Sequence, residues 1–276
     1  MKAKPADETY LFSNQDLKRL ILPLLVEQLL AITVGMADSI MVSSVGEAAV
    51  SGVSLVDTIF VLLINIFTAL ATGGAVVCGQ YLGKKRPEQA CQAADQLVLA
   101  TGILSILVMG LMYVLRTFIL NVVFGHIEPD VWNNCNIYFL IVSASIPFIS
   151  IYNAGAAIFR AQGDSKTPMK ISLLMNVINI IGNGILLYGF HFGVEGAAIP
   201  TLISRMFAAV VILARAYKTD HVLHLTRPVV WKLHWPTLKK ILRIGVPNGL
   251  ENSMFQLGKI LVLSLVTQFG TAAIAA

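Results

Sequence analysis

Seven apolar runs in this chain each reach the roughly 20 residues that a helix needs to cross about 30 Å of hydrocarbon. They lie near 17–41, 52–80, 91–115, 132–160, 169–190, 195–217 and 241–269. A backbone that enters lipid must satisfy its own hydrogen bonds, so each run is expected to be a transmembrane helix. No segment alternates apolar and polar residues with period two, which argues against an outer-membrane barrel. Charged residues make up 13% of the chain and hydrophobic ones 56%. A soluble domain carries about 25% charged residues, so this chain lacks the polar surface for a water-soluble globule. The expected fold class is an all-α integral membrane bundle.

Basic residues set the expected orientation. With residues 1–16 as a cytoplasmic N-terminal segment, 17 of the 20 lysines and arginines fall on the cytoplasmic side. Arg116 alone falls outside, while Arg205 and Lys259 lie within spans. This asymmetry predicts a multi-pass protein with a cytoplasmic N-terminus, in a prokaryotic plasma membrane. The net charge of +5 sits beside the spans, where anionic lipid headgroups are the natural partner. Nucleic acid is not an expected partner. Residues 1–16 lead into a full-length span without the short apolar core of a cleaved signal.

A shift of 224 residues aligns the first run with the seventh. Arg19, Pro23, Glu27, Val42, Gly46, Ala48 and Ala49 fall on Arg243, Pro247, Glu251, Val266, Gly270, Ala272 and Ala273. Six spans separate the copies, so both run in the same direction, as in transporters built from two parallel repeats around a central cavity. The expected organisation is a six-helix lobe at 17–217, a cytoplasmic linker at 218–240, and an incomplete second lobe beginning at 241–276. The seventh helix is expected to pack apart from the first six.

Two loops, a first-helix motif and a helix start carry a resemblance. Arg160-Ala-Gln-Gly163-Asp164-Ser-Lys166-Thr167-Pro168-Met169 resembles the loop after helix four of the multidrug and toxic compound extrusion (MATE) family. Gln80-Tyr-Leu-Gly83-Lys-Lys-Arg-Pro-Glu-Gln-Ala90 is similar to that family's loop after helix two. Ala37-Asp38-Ser-Ile-Met-Val42 resembles its first-helix motif, and Gly193-Val-Glu-Gly196-Ala-Ala-Ile-Pro-Thr201 its sixth-helix start. The resemblance implies a twelve-helix, two-lobe exporter. Such a protein moves amphipathic, often cationic, drug-like molecules outward in exchange for inward H⁺ or Na⁺, as a monomer and without a cofactor.

The residues support cation coupling of that kind. A carboxylate inside a span costs about 2.5–3.5 kcal/mol on insertion scales, and the first run carries two, Glu27 and Asp38. Eleven residues apart, they share one helix face roughly 16 Å apart along the axis. Asn176, Asn179 and Asn183 form a stripe at i, i+3 and i+7 in the fifth run, and their carbonyl oxygens are hard ligands suited to Na⁺. The expected coupling set is Asp38, Asn179, Asn183, Glu27 and Thr201, with any Na⁺ held by the first three. By resemblance, Asp38 matches the family's first-helix acid and Thr201 its sixth-helix threonine. Asn183 stands where one branch has a titratable Asp, which throws the exchange onto Asp38. The expected substrate cavity or gate takes Glu251, Met36, Met175, Met206 and Asn176. The family branch with a seventh-helix Glu places it one turn later, at Phe255 of this chain. Symmetry predicts Glu27 and Glu251 at equal depth, facing the seam between lobes.

Asp57 lies near one end of its run and is read as a hydrated carboxylate, Arg205 as paired or snorkelling. Pro23, Pro147, Pro200 and Pro247 are expected to kink their helices. An intramembrane enzyme is disfavoured, because no Gly-x-Gly-Asp, His-Glu-x-x-His, nucleophile-elbow or nucleotide-loop motif is present. A lipid or oligosaccharide flippase of related architecture would want several basic residues in its cavity.

Overall fold

The computed structural model describes residues 14–124, 128–226 and 232–266. Lys2, Lys4, Arg227, Gly270, Ala272 and Ala273, together with most of the expected N-terminal segment, lie outside them, as does the side chain of Phe255.

Among the described residues the chain is helical throughout. Its helices are α1 (Asn14–Ser43), α2 (Glu47–Gly83), α3 (Pro87–Phe118), α4 (Pro129–Ser143), α5 (Ile146–Ala161), α6 (Lys166–Asn183), α7 (Glu195–Ala216) and α8 (Trp235–Val266). α3 and α6 end by widening into π-helical turns at Ile119–Val123 and Gly184–Gly189. α1, α2, α3, α6 and α7 are long and apolar enough to cross a membrane. The expected fourth run is broken: α4 and α5 meet at 47°, and together they are long and apolar enough for one span. Pro147 stands in the first turn of α5, where its missing N–H costs nothing. The other three prolines stand in helix interiors. Pro23, Pro200 and Pro247 lie inside helices that continue unbroken through them.

Burial is inverted relative to a soluble protein. Val114 on α3 is 80% exposed, and Leu107 and Val122 are similarly open, which suits a surface bathed in lipid tails. The interior packs in two clusters. One joins Leu55, Phe60, Phe139 and Ile146 toward the end of the bundle where α1 stops. The other joins Val77, Leu97, Phe159 and Ile212 toward the opposite end.

The loop at 160–168 owes its composition to local physics. Gly163 has φ +86°, a left-handed conformation that glycine adopts without strain. Asp164 Oδ1 then accepts the Lys166 and Thr167 amides, both at 3.1 Å, and Thr167 Oγ1 donates to Oδ2 at 2.6 Å. One carboxylate thereby satisfies donors that α6 leaves open in its first turn.

The seventh helix does not stand apart. α8 lies along α2 and touches α3, and Ile241 is fully buried in the second cluster. A Cβ on Gly73 would sit 2.5 Å from the Ile241 carbonyl oxygen and 2.8 Å from the Gly245 nitrogen, so α2 and α8 touch backbone to backbone. Asn248, Glu251, Asn252, Gln256 and Lys259 run through the middle of α8. That polarity keeps it below the apolar content of the other spans.

The segment leading to α8 is fastened to the bundle. Asp95 on α3 accepts the Thr226 amide at 3.0 Å and its hydroxyl. Gln96 donates to the Lys232 carbonyl at 2.9 Å and accepts the His234 amide at 2.7 Å. Gln162 accepts the Leu223 amide at 3.2 Å.

Candidate cation and substrate site

α6 turns its asparagine stripe inward: Asn176, Asn179 and Asn183 are all buried. Asn183 Nδ2 donates to Asp38 Oδ1 at 2.6 Å, joining α6 to α1. The same nitrogen lies 3.4 Å from Asn179 Oδ1, and Asn179 Nδ2 donates to Thr201 Oγ1 at 3.0 Å. Thr201 Oγ1 in turn donates a hydrogen bond to the Ala197 carbonyl at 2.9 Å. α6 and α7 come close enough for this because Gly182 has no side chain. A Cβ there would lie 2.7 Å from Pro200 Cβ.

Asn183 is wholly buried, yet its Oδ1 has no hydrogen-bond partner. An orphaned carbonyl oxygen beside a carboxylate is what a hard monovalent cation coordinates. Asn183 and Asp38, with the oxygens of Asn179 and Thr201 next to them, therefore fit such an ion. Among the described residues no cluster of His, Cys, Asp and Glu suits a transition metal, and Cys78, Cys91 and Cys135 are buried free thiols.

Asp38 opens onto a cavity of about 370 Å³ between α1, α2, α4, α5, α6 and α7. That volume lies in the range of small-molecule sites. Phe60, Tyr138, Ile149 and Met175 supply apolar wall, and Asn176, Asn179 and Thr201 supply polar groups. The same cavity contains Asp57 and Arg205, which corrects the reading of Asp57 as a hydrated carboxylate. Asp57 accepts a hydrogen bond from the Tyr138 hydroxyl at 3.1 Å. Arg205 Nη1 donates to Ser145 Oγ at 2.7 Å. Their mere presence inside spans was the available signal, because an ionisable residue there marks function by default.

Glu27 is not part of this cluster. Its Oε2 pairs with Arg160 Nη2 at 2.7 Å and its Oε1 faces the Tyr152 hydroxyl at 3.1 Å. The distance along α1 is the reason: three turns separate Glu27 from Asp38 and place it beside the last turn of α5. Glu27 thus bonds within the first six spans, while Glu251 is exposed on α8. Of the three methionines, only Met175 lines the cavity. Met36 is about 200° around α1 from Asp38, and Met206 about 140° around α7 from Thr201. Both are exposed.

The model of the family described as MatE matches residues 23–185, which run from within α1 past the end of α6 and include the Asp38–Asn183 contact. The chain belongs to the MatE family. Among curated relatives, the uncharacterized transporter YisQ of Bacillus subtilis is 28% identical over 98% of this chain and 59% of its own length. A probable multidrug resistance protein NorM of Thermotoga maritima is 27% identical over 95% of this chain and 56% of its own. The probable multidrug resistance protein YoeA of Bacillus subtilis is 30% identical over 84% and 51%. A solved inward-facing multidrug resistance MATE family transporter of the MOP superfamily shares the fold with TM-score 0.82. Its identity is 24%, over 94% of this chain and 59% of that one. The chain spans between half and three fifths of the lengths of these proteins. This MatE chain is therefore a multi-pass helical membrane protein.

Proposed function

We propose that this MatE chain supplies the first lobe, the linker and the first helix of the second lobe of a secondary efflux transporter. That transporter moves amphipathic or cationic small molecules out of the cell against inward H⁺ or Na⁺. The observation that carries the reading is Asp38, held at 2.6 Å by Asn183 beside an orphaned buried oxygen, on a drug-sized cavity. A cation at Asp38 and a cationic substrate in the same cavity would compete for one negative region, and competition of that kind is what exchange requires. Relatives named as multidrug resistance and export proteins support the substrate class. The N-terminus is placed in the cytoplasm by the distribution of basic residues. The protein works as a monomer in a prokaryotic plasma membrane. A flippase for lipid-linked phosphates is less well supported, because among the described residues Arg205 is the single basic residue on the cavity wall.

The test is substrate efflux by the whole protein in vesicles, with Na⁺ and pH gradients imposed separately. Wild type is expected to respond to one of them and Asp38→Asn to neither, while remaining folded. Gradient-driven efflux by Asp38→Asn at the wild-type rate would sink the assignment.

A further inference from the structure

The cavity holds two carboxylates, Asp38 and Asp57, and one guanidinium, Arg205. Among the described residues none of the three makes an ion pair within 4.0 Å. Each is held instead by a neutral group: Asp38 by the Asn183 amide, Asp57 by the Tyr138 hydroxyl and Arg205 by the Ser145 hydroxyl. Ser145 is itself fixed. It is fully buried at the break between α4 and α5, and its hydroxyl donates to the Val142 carbonyl at 2.7 Å. The bend in the fourth span is therefore what stations a positive charge on the cavity wall.

The two sides of the cavity differ in chemistry. Asp38 faces the Asn183 amide nitrogen, on the side of the cavity where Asn179 and Thr201 stand and where Asn183 Oδ1 is left without a partner. Asp57 faces the α4 side, where Tyr138 and Ser145 stand within two turns of each other, and its carboxylate accepts from the Tyr138 hydroxyl. Ionised carboxylates in a mostly apolar cavity repel each other and require compensation. The resident guanidinium compensates one of them, leaving the cavity one charge short.

We propose that Arg205, stationed by Ser145, is the permanent counter-ion of Asp57 and thereby sets the loading of the Asp38 site at a single monovalent cation. This rests on the exchange reading above. Arg205 and Asp57 are positioning residues: they do not hold the exchanged ion, but they fix the charge that it must balance. If Asp57 is neutralised, the guanidinium has only Asp38 to balance, and the incoming cation then competes with a charge that cannot leave.

The experiment counts cations on the whole purified protein. Radioactive sodium is measured by equilibrium dialysis at fixed pH, and proton uptake or release is measured in lightly buffered solution, so the two arms separate Na⁺ from H⁺. Arg205→Met is expected to raise the count by about one per protein over wild type, and Arg205→Lys to leave it unchanged. Asp57→Asn should weaken cation binding about tenfold or more, a loss of about 1.4 kcal/mol, although Asp38 is intact. The double variant Asp57→Asn/Arg205→Met, neutral at both positions, should return both count and affinity to wild type. It keeps the test usable should Arg205→Met alone fail to fold. An unchanged affinity in Asp57→Asn, or a double variant no closer to wild type than Asp57→Asn, overturns the proposal. A wild-type protein that binds no cation in either arm removes the exchange reading as well, so the two failures are distinguishable.

Discussion

Gly182→Ala adds one methyl group at the place where α6 and α7 cross beside the site. The new Cβ would lie 2.7 Å from Pro200 Cβ and 2.9 Å from its Cγ. Carbon atoms pack at about 3.5–4.0 Å, and a proline ring has no rotamer by which to retreat. The helices must therefore part by about 1 Å. The Asn179–Thr201 bond, 3.0 Å long, would open to about 4 Å, beyond hydrogen-bonding range. Overpacking of this kind costs about 1–3 kcal/mol, and the lost bond about 1 kcal/mol more. Gly184 provides the control, because two residues further on nothing lies within 4 Å of an added Cβ and its backbone is already helical. Thermal unfolding in detergent, paired with cation binding, reads both effects. Gly182→Ala should melt several degrees lower and bind its cation about tenfold more weakly, while Gly184→Ala should match wild type in both. Equal behaviour of the two variants would refute the argument that glycine at 182 sets the α6–α7 distance.

Three further outcomes follow from the packing. A double-mutant cycle on Glu27→Gln and Arg160→Met should give a coupling of about 1 kcal/mol by thermal melting, between exposed and buried pairs, because the side chains are 16% and 32% exposed. Zero coupling would mean the pair contributes nothing to the fold. Asp164→Ala should cost about 1–2 kcal/mol through the lost α6 cap, with Asp164→Asn recovering most of it in the same melt. Gly73→Leu should disturb α8 more than a core substitution of equal size. Its Cβ meets backbone rather than side chain, and limited proteolysis around residue 235 would report the loosening.

Apolar run length was enough to place six spans, because crossing lipid imposes a length that few other constraints imitate. The asparagine stripe was legible for the same reason: spacing of i, i+3 and i+7 fixes one helix face whatever lies opposite. What spacing leaves open is the rotation of each helix against its neighbours. Glu27 and Asp38 share a face of α1, yet one meets α5 and the other α6, since the partners of a face change along its length. Met36 and Met206 miss this cavity through phase alone. Asp57 reads as hydrated from the sequence because distance along a span stands in for distance to water. A bent fourth span instead creates a polar interior there. The contact of α8 with α2 depends on two glycines 172 positions apart in the sequence, a pairing no local pattern announces.

Asp95 and Gln96 are neighbours on α3, and between them they hold the chain on both sides of residues 227–231: Thr226 before and Lys232 and His234 after. Both flanks are thus pinned to adjacent positions of one helix, and the start of α8 is fixed to α3 from its own side. A reporter sequence inserted within 227–231 should leave the helices where they are, and its accessibility to impermeant reagents would reveal which compartment that end of the bundle faces.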